Sequence, residues 1–213
     1  MYVRRSRATE ANPDKWAIAP LASKDEFRKT LMEANVLLWA MSIMTFTYSF
    51  INHFIANAPD SPPFDIPEVR IVDGGITGPI PNTKSTICRS YLVEEMIDEE
   101  KDGFYKFISN GDAIPVPQVA NDLSSVTEFL SFTQHVQYHK ARGAVYLSDL
   151  QGIRNLLTDP QIMTAPSIGE GLDIFGDGNV PAAFNAFPQQ HMCNKFCHWF
   201  QLPALKQVVD DAQ

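Results

Sequence analysis

The sequence predicts a mixed α+β fold, and three observations predict it. Lys24 to Asn57 reads as one long helix, several short apolar runs bounded by Gly, Pro and Asn read as strands, and the two kinds of segment do not alternate as a doubly wound sheet requires. With 213 residues, 45% of them hydrophobic and 20% charged, the chain has enough apolar material to bury a core without disulfide staples.

Met1 to Arg7 reads as the tail of a strand, followed by a polar loop through Asp14. Ser23 is a helix N-cap with Glu26 three residues on, the spacing of a capping box. Pro59, Pro62, Pro63 and Pro67 stop the helix. Val69 to Val72 is a short strand that ends in a turn at Asp73-Gly74-Gly75, and Gly78 to Ser85 is a polar loop. Ile87 to Ile97 is a second strand centred on Tyr91-Leu92-Val93, and Phe104 to Ile108 alternates weakly before the turn at Asn110-Gly111. Leu123 to His139 suits a helix that Gly143 ends, and Ala144 to Leu147 is a strand running into Asp149. From Gly152 onward the pattern is loop-rich, with a short helix near Pro181 to Phe187 and a Cys/His cluster behind it.

Composition narrows the function classes. A formal net charge of −8 speaks against a nucleic-acid partner, because phosphate backbones are held by clustered Lys and Arg. Cys88, Cys193 and Cys197 make no disulfide framework, and two of them sit beside histidines, which points to metal in a cytoplasmic or nuclear protein. The basic start lacks the apolar run of a signal peptide. Val36 to Ile55 is long enough to cross a bilayer, but Asn35, Ser42, Thr45, Ser49 and Asn52 fall on one helical face, leaving Leu38, Met41, Phe50 and Phe54 to other faces. A largely buried amphipathic helix, with no membrane partner, is the expectation.

His191-Met-Cys193-Asn-Lys-Phe-Cys197 places imidazole and thiol donors within seven residues. Zinc favours these donors in a closed tetrahedral site of four, so one more ligand is needed, with His135, His139 and His198 as candidates. The plain alternative is small buried cysteines beside a surface histidine. The basic helix of a nucleic-acid zinc finger is absent, and C-x3-C is not the spacing of a redox pair.

A second constellation begins where the strand before Asp149 ends. Asp149-Leu-Gln151-Gly152 is followed by Thr158-Asp159-Pro160, an oxygen-rich set of the kind that holds Mg²⁺ together with substrate phosphates. Taken alone, Asp before Pro is equally a turn former.

In succession these segments are more specific. Tyr91-Leu-Val-Glu-Glu-Met-Ile97, Phe104-Tyr-Lys-Phe-Ile-Ser-Asn110, Phe132-Thr-Gln-His-Val-Gln-Tyr138, Asp149-Leu-Gln-Gly152, Leu157-Thr-Asp-Pro-Gln-Ile162, Phe175-Gly-Asp-Gly-Asn179 and His191-x-Cys-Asn-x-x-Cys197 resemble, in that order, the alpha-kinase catalytic domain, particularly its fungal members. The resemblance covers roughly Lys24 to Leu202. It implies an atypical protein-kinase-like two-lobed fold with a structural zinc in the C-terminal lobe. The N-terminal lobe and inter-lobe strand would occupy residues 1–98, and the C-terminal lobe residues 99–213.

The function implied is transfer of the ATP γ-phosphate to Ser or Thr of a protein substrate, with ATP, Mg²⁺ and Zn²⁺ as cofactors. By the same resemblance Asp149 is the catalytic aspartate and Lys106 faces it and the phosphates. Gln151 and Asp159 bind Mg²⁺, and Glu94 and Met96 meet the adenine. His135 becomes the fourth zinc ligand beside His191, Cys193 and Cys197, which leaves His139 and His198 as bystanders. Gly176, Gly178 and Asn179 match the start of a glycine-rich substrate-binding motif, although Val180-Pro181 follow where the family often has another glycine. The family's phosphate-binding lysine falls at Arg4 or Arg5, and arginine is not a conservative exchange there. Nothing precedes that strand, so an incomplete N-terminal lobe is expected. The alternative function is a catalytically impaired zinc-binding pseudokinase acting as an interaction module.

Overall fold

The computed structural model describes residues 3–7, 16–20, 23–78, 89–98, 103–117, 121–168, 175 and 178–205, with the backbone alone for 3–7 and 16–20. Strand β1 (Val3–Arg7) pairs antiparallel with β2 (Trp16–Pro20). Helix α1 (Ser23–Asn57) follows, then β3 (Arg70–Ile71), β4 (Gly74–Thr77), β5 (Tyr91–Glu94) and β6 (Tyr105–Lys106). Next come α2 (Asn121–Lys140), β7 (Val145–Ser148), β8 (Gln151–Gly152), β9 (Leu156–Thr158) and β10 (Gln161–Thr164), and last α3 (Pro181–Gln190) and α4 (Lys195–Trp199). Among the described residues the strands form four small sheets: β1-β2, β4-β5, β7-β10 and the mixed β3-β9-β8-β6, an α+β arrangement.

Helix α1 starts with Asp25 and Glu26 in its first turn, where carboxylates favour the exposed amide groups. The expected capping box is not its start. Helical backbone already includes Ser23, whose side chain lies outside the described residues, and the Glu26 carboxylate is 1% exposed, paired with Arg89 at 3.3 Å. A buried carboxylate that finds a guanidinium gains more than one that caps a solvated amide.

One stripe of α1, with Val36, Leu37, Ala40, Met44, Thr47 and Ile51, is buried against Val69, Ile71 and Val72 and against α2. By length and composition α1 is apolar enough to cross a membrane, and here a third of that window is buried in the fold. The face with Ser42, Thr45, Ser49 and Asn52 is exposed as expected, its hydroxyls bonded to carbonyls four residues back. Burial is less complete than the sequence suggested. Leu38 is 63% exposed, and Phe27, Leu31, Trp39 and Phe46 are exposed too.

Two corrections concern strands. Gly74-Gly75 was expected to be a turn, yet it opens β4, with Gly74 opposite Glu94 and Gly75 opposite Val93. The glycine serves close approach: a Cβ on Gly74 would collide with Leu37 of α1. The region after Gly152 was expected to be loop-rich, yet it holds β9 and β10, of three and four residues, too short to leave a period of two. Residues 79–88, with most of the expected polar loop and Cys88, lie outside the described residues.

The main core joins both sides of residue 98, because α1 and β3 share it with α2, β9 and α4. Phe196 and Phe200 enter it from the C-terminal end, with ring centroids 4.7 Å from Phe64 and 4.9 Å from Phe132 respectively. A second cluster stacks Tyr146 on Phe187 at 4.3 Å. The short strands are held as much by side chains as by ladders. The Tyr48 hydroxyl on α1 donates to the Pro67 carbonyl and accepts from the Val69 amide, both at 2.7 Å, and burial pushes the phenol up to about 12.

Replacing Tyr48 by Phe would leave that amide and carbonyl without their partner. The expected loss of unfolding free energy in urea is about 1–3 kcal/mol, with an unchanged denaturant slope.

Candidate functional site

Four short strands and the turn after β9 converge on one group of charged and polar side chains. Asp149 follows β7 directly and takes φ +55°, while Asp159 follows β9 and takes φ +51°. A left-handed backbone at a non-glycine residue is uncommon, and here it occurs at both expected carboxylates. Lys106 sits opposite Gln151 in the β6–β8 pair, and its Nζ reaches Asp149 Oδ1 at 2.5 Å. Phe107 N–H donates to the Leu150 carbonyl at 2.9 Å, fixing β6 beside the aspartate.

Gln151 donates from Nε2 to Asp159 Oδ2 at 3.0 Å, and the Thr158 hydroxyl donates to Glu94 Oε2 at 2.9 Å. Burial, then the charges of Asp149 and Glu94, raise Asp159 above the usual carboxylate range, opposed by Lys106 and the Gln151 bond. Three carboxylates around one ammonium leave the cluster negative, so a hard cation would be stabilised there.

Glu94 ends β5 with its side chain turned to Thr158, and Met96, two residues on, is 88% exposed. Between them Glu95 is clamped by Arg70 through two bonds of 2.6 and 2.7 Å, which hold its carboxyl below the ordinary range. Beside this segment an open cleft is lined by Asp73, Gly74, Ile76, Val93 and Glu94.

The expected glycine-rich segment is partly described. Gly176 lies outside the described residues, as does the Arg4 side chain, although the Arg4 backbone stands opposite Ala19. A Cβ on Gly178 would overlap the Gln161 side chain. The Asn179 amide accepts from Thr164 N–H at 3.2 Å and donates to the Thr164 hydroxyl at 2.8 Å, extending the edge of β10.

The second centre lies between α2 and the C-terminal segment. One donor atom each from His135, His191, Cys193 and Cys197 lies within 4.8 Å of the others. His135 Nε2 contacts the Pro203 carbonyl at 3.0 Å, so that nitrogen carries the proton, and Nδ1 faces Cys193 Sγ at 3.8 Å. His191 Nε2 faces Cys197 Sγ at 3.6 Å. Around Zn²⁺, ordinary bond lengths put neighbouring donors about 3.3–3.8 Å apart, which the two His–Cys distances match within a set that extends to 4.8 Å.

Burial holds both histidines neutral, His135 down to about 4 and His191 to about 3, and pushes the Cys197 thiol up to about 12. His139 and His198 stand outside this group of four. Asn194 supports the loop: its side-chain oxygen accepts from Phe196 and Cys197 N–H, and its amide donates to the Glu128 carbonyl on α2 at 2.7 Å.

Sequence reasoning missed Gln134 and Gln137, both buried on α2 and both bonded to Leu147. The available signal was the presence of amides on the inward face of a helix, which no motif marks. It named Thr158 only as part of a motif and missed its bond to Glu94, and it missed the Arg70–Glu95 clamp.

A model described as the alpha-kinase family matches residues 15–197. Myosin heavy chain kinase C of Dictyostelium discoideum is 32% identical over 107 residues, half of this chain and 12% of that protein. Human transient receptor potential cation channel subfamily M member 7 is 34% identical over 119 residues, 55% of this chain and 6% of that protein. Thus the chain spans only a small part of these relatives. The alpha-kinase domain of myosin heavy chain kinase A, solved with ADP, matches with a TM-score of 0.56 at 22% identity over 86% of this chain and 61% of that one. The same domain solved with adenosine matches with a TM-score of 0.56 at 21% identity, over 96% and 71%. At that identity the likeness concerns the fold.

Because the folded state raises the Asp159 pKa, it binds that proton more tightly than the unfolded chain does. The contribution favours folding at low pH and is lost as pH rises through the carboxylate range. Without divalent cations at pH 7, Asp159→Asn is therefore expected to be the more stable protein, by less than about 1 kcal/mol because solvent screens the site. The gain should vanish near pH 3 in paired urea titrations at the two pH values.

Proposed function

Since this chain belongs to the alpha-kinase family, we propose that it transfers the γ-phosphate of ATP to Ser or Thr of a protein substrate. The observation that carries the reading is the Asp149–Lys106 pair placed beside the Gln151–Asp159 pair. Phosphoryl transfer needs little covalent work from a protein and much positioning of charge. Asp149 orients the substrate hydroxyl and accepts its proton, and the left-handed turn aims its carboxylate off the end of β7. Lys106 holds Asp149 and faces the phosphates.

Gln151 and Asp159 supply oxygen ligands for Mg²⁺, which when bound neutralises charge on the phosphates. Glu94 and Met96 border the adenine along the segment that the Arg70–Glu95 clamp fixes. Arg4 takes the α- and β-phosphates. Gly176, Gly178 and Asn179 form the substrate side, where the Asn179 amide fixes the turn through Thr164. Residues 1–98 and 99–213 would correspond to the two lobes, joined through the core that α1 and β3 share with α2, β9 and α4.

His135 Nδ1, His191 Nε2, Cys193 and Cys197 would hold a structural Zn²⁺. The donor set supports this, since two neutral imidazoles, one buried thiol and one half-buried thiol are costly neighbours without a cation and good ligands with one. The ion would join α2 to the segment carrying Phe196 and Phe200.

Wild type incubated with labelled Mg·ATP and a basic protein should transfer phosphate. Asp149→Ala should lose activity by about a thousandfold or more while keeping its zinc. A folded, zinc-loaded wild type without transfer would instead favour the impaired pseudokinase. Elemental analysis should find one zinc per chain. Cys197→Ser should abolish cooperative unfolding, because a zinc contribution on the order of 10 kcal/mol is comparable to the whole stability of a domain.

A further inference from the structure

The strand that delivers Asp149 is unusually bare. Among the described residues β7 pairs only with β10, and Leu147, opposite Ile162, turns its own amide and carbonyl to the other side. That edge is buried, so both groups need partners. Two side chains of α2 supply them in place of a third strand. Gln137 Oε1 accepts from Leu147 N–H at 2.8 Å, and Gln134 Nε2 donates to the Leu147 carbonyl at 2.7 Å. Three residues apart, the two amides share one helical face and reach two groups of one residue.

Gln137 also reaches the other way. Its Nε2 donates to Thr47 Oγ1 of α1 at 3.1 Å, and that hydroxyl donates to the Ile43 carbonyl at 2.8 Å. An unbroken line of buried polar contacts therefore runs from α1 through Thr47 and Gln137 to Leu147, two residues before Asp149. The arrangement is not the most stable one available, because Gln134 Oε1 is buried without a hydrogen-bond partner among the described residues. Such a group costs about 1–3 kcal/mol, and apolar packing would avoid it.

We infer that Gln137, seated on Thr47, is a positioning residue that sets the height and direction of Asp149 through the backbone of Leu147. The inference deepens the kinase reading and rests on it for its catalytic consequence. Removing the support leaves every group that touches ATP or metal in place. It lets β7 shift along its free edge, so the aspartate meets the substrate hydroxyl less often. The effect belongs to turnover rather than to nucleotide binding.

The test compares three variants of the full chain with wild type. Thr47→Val keeps the shape and deletes the hydroxyl, and Thr47→Ser keeps the hydroxyl. Thr127→Val makes the same deletion on α2, where the hydroxyl serves its own helix through the Leu123 carbonyl. Thr47→Val should show kcat about tenfold below Thr127→Val with KM for ATP within about twofold, and Thr47→Ser should return to wild type. Hydrogen exchange of amides 147–151 should be about tenfold faster in Thr47→Val alone, with other segments unchanged. Equal kcat and equal local exchange in Thr47→Val and Thr127→Val would overturn the inference. Absence of transfer by wild type would count against the kinase reading instead. The exchange comparison then decides the positioning of β7 by itself, equal rates overturning it.

Discussion

Helix α2 is buried with its polar side chains inside, and the rest of the structure is arranged to satisfy them. Thr127, Ser131, Thr133, Gln134, His135 and Gln137 are all inaccessible or nearly so. A polar group in such a place costs free energy unless it is paired, so each one selects a partner. Thr127 and Thr133 turn back to their own helix. Gln134 and Gln137 take the edge of β7, and Gln137 takes α1 as well. His135 takes the Pro203 carbonyl with one nitrogen and faces the cysteines with the other. One helix thus ties the strand before Asp149, the long helix and the Cys/His loop to common coordinates.

The charged cluster beside it follows a different economy. Asp149, Asp159 and Glu94 are brought together against their mutual repulsion, two of them on left-handed backbone. Lys106 and Gln151 compensate only in part. An arrangement that raises a carboxyl above its ordinary range is poorly suited to stability and well suited to a cation. Stability is supplied elsewhere, by the aromatic packing of Phe64, Phe132, Phe196 and Phe200 and by the Tyr48 bridge to Pro67 and Val69. The Cys/His centre lies next to that packing, because Cys197 follows Phe196 directly and Asn194 pins the loop to α2.

Local chemistry explains what was legible in the sequence. The donors His191, Cys193 and Cys197 stand out by type and closeness, whereas Asp149, Gln151 and Asp159 are weak signals until the succession of motifs singles them out. The boundaries of α1 and α2 follow from apolar pattern, proline and glycine, all properties of neighbouring residues. His135 was one candidate among three until the resemblance singled it out, because its partners are more than fifty residues away. The strands β4, β9 and β10 were missed for a related reason. Gly74-Gly75 carries a turn signature, and its pairing with Val93 and Glu94 makes it a strand, with Leu37 leaving no room for a side chain at Gly74.

The sequence by itself determined the α+β class, the two main helices, the alpha-kinase resemblance and the residue types of both centres, since each is written in short-range pattern. Tertiary structure alone decided that Glu26 pairs with Arg89, that Thr158 holds Glu94 and that Gln134 and Gln137 complete the edge of β7. Those contacts join residues 10 to 64 positions apart, and most of them involve groups whose partners are chosen by burial rather than by spacing. A buried hydrogen-bonding group must pair with whatever the fold brings near it, and nothing in its own sequence neighbourhood names that partner.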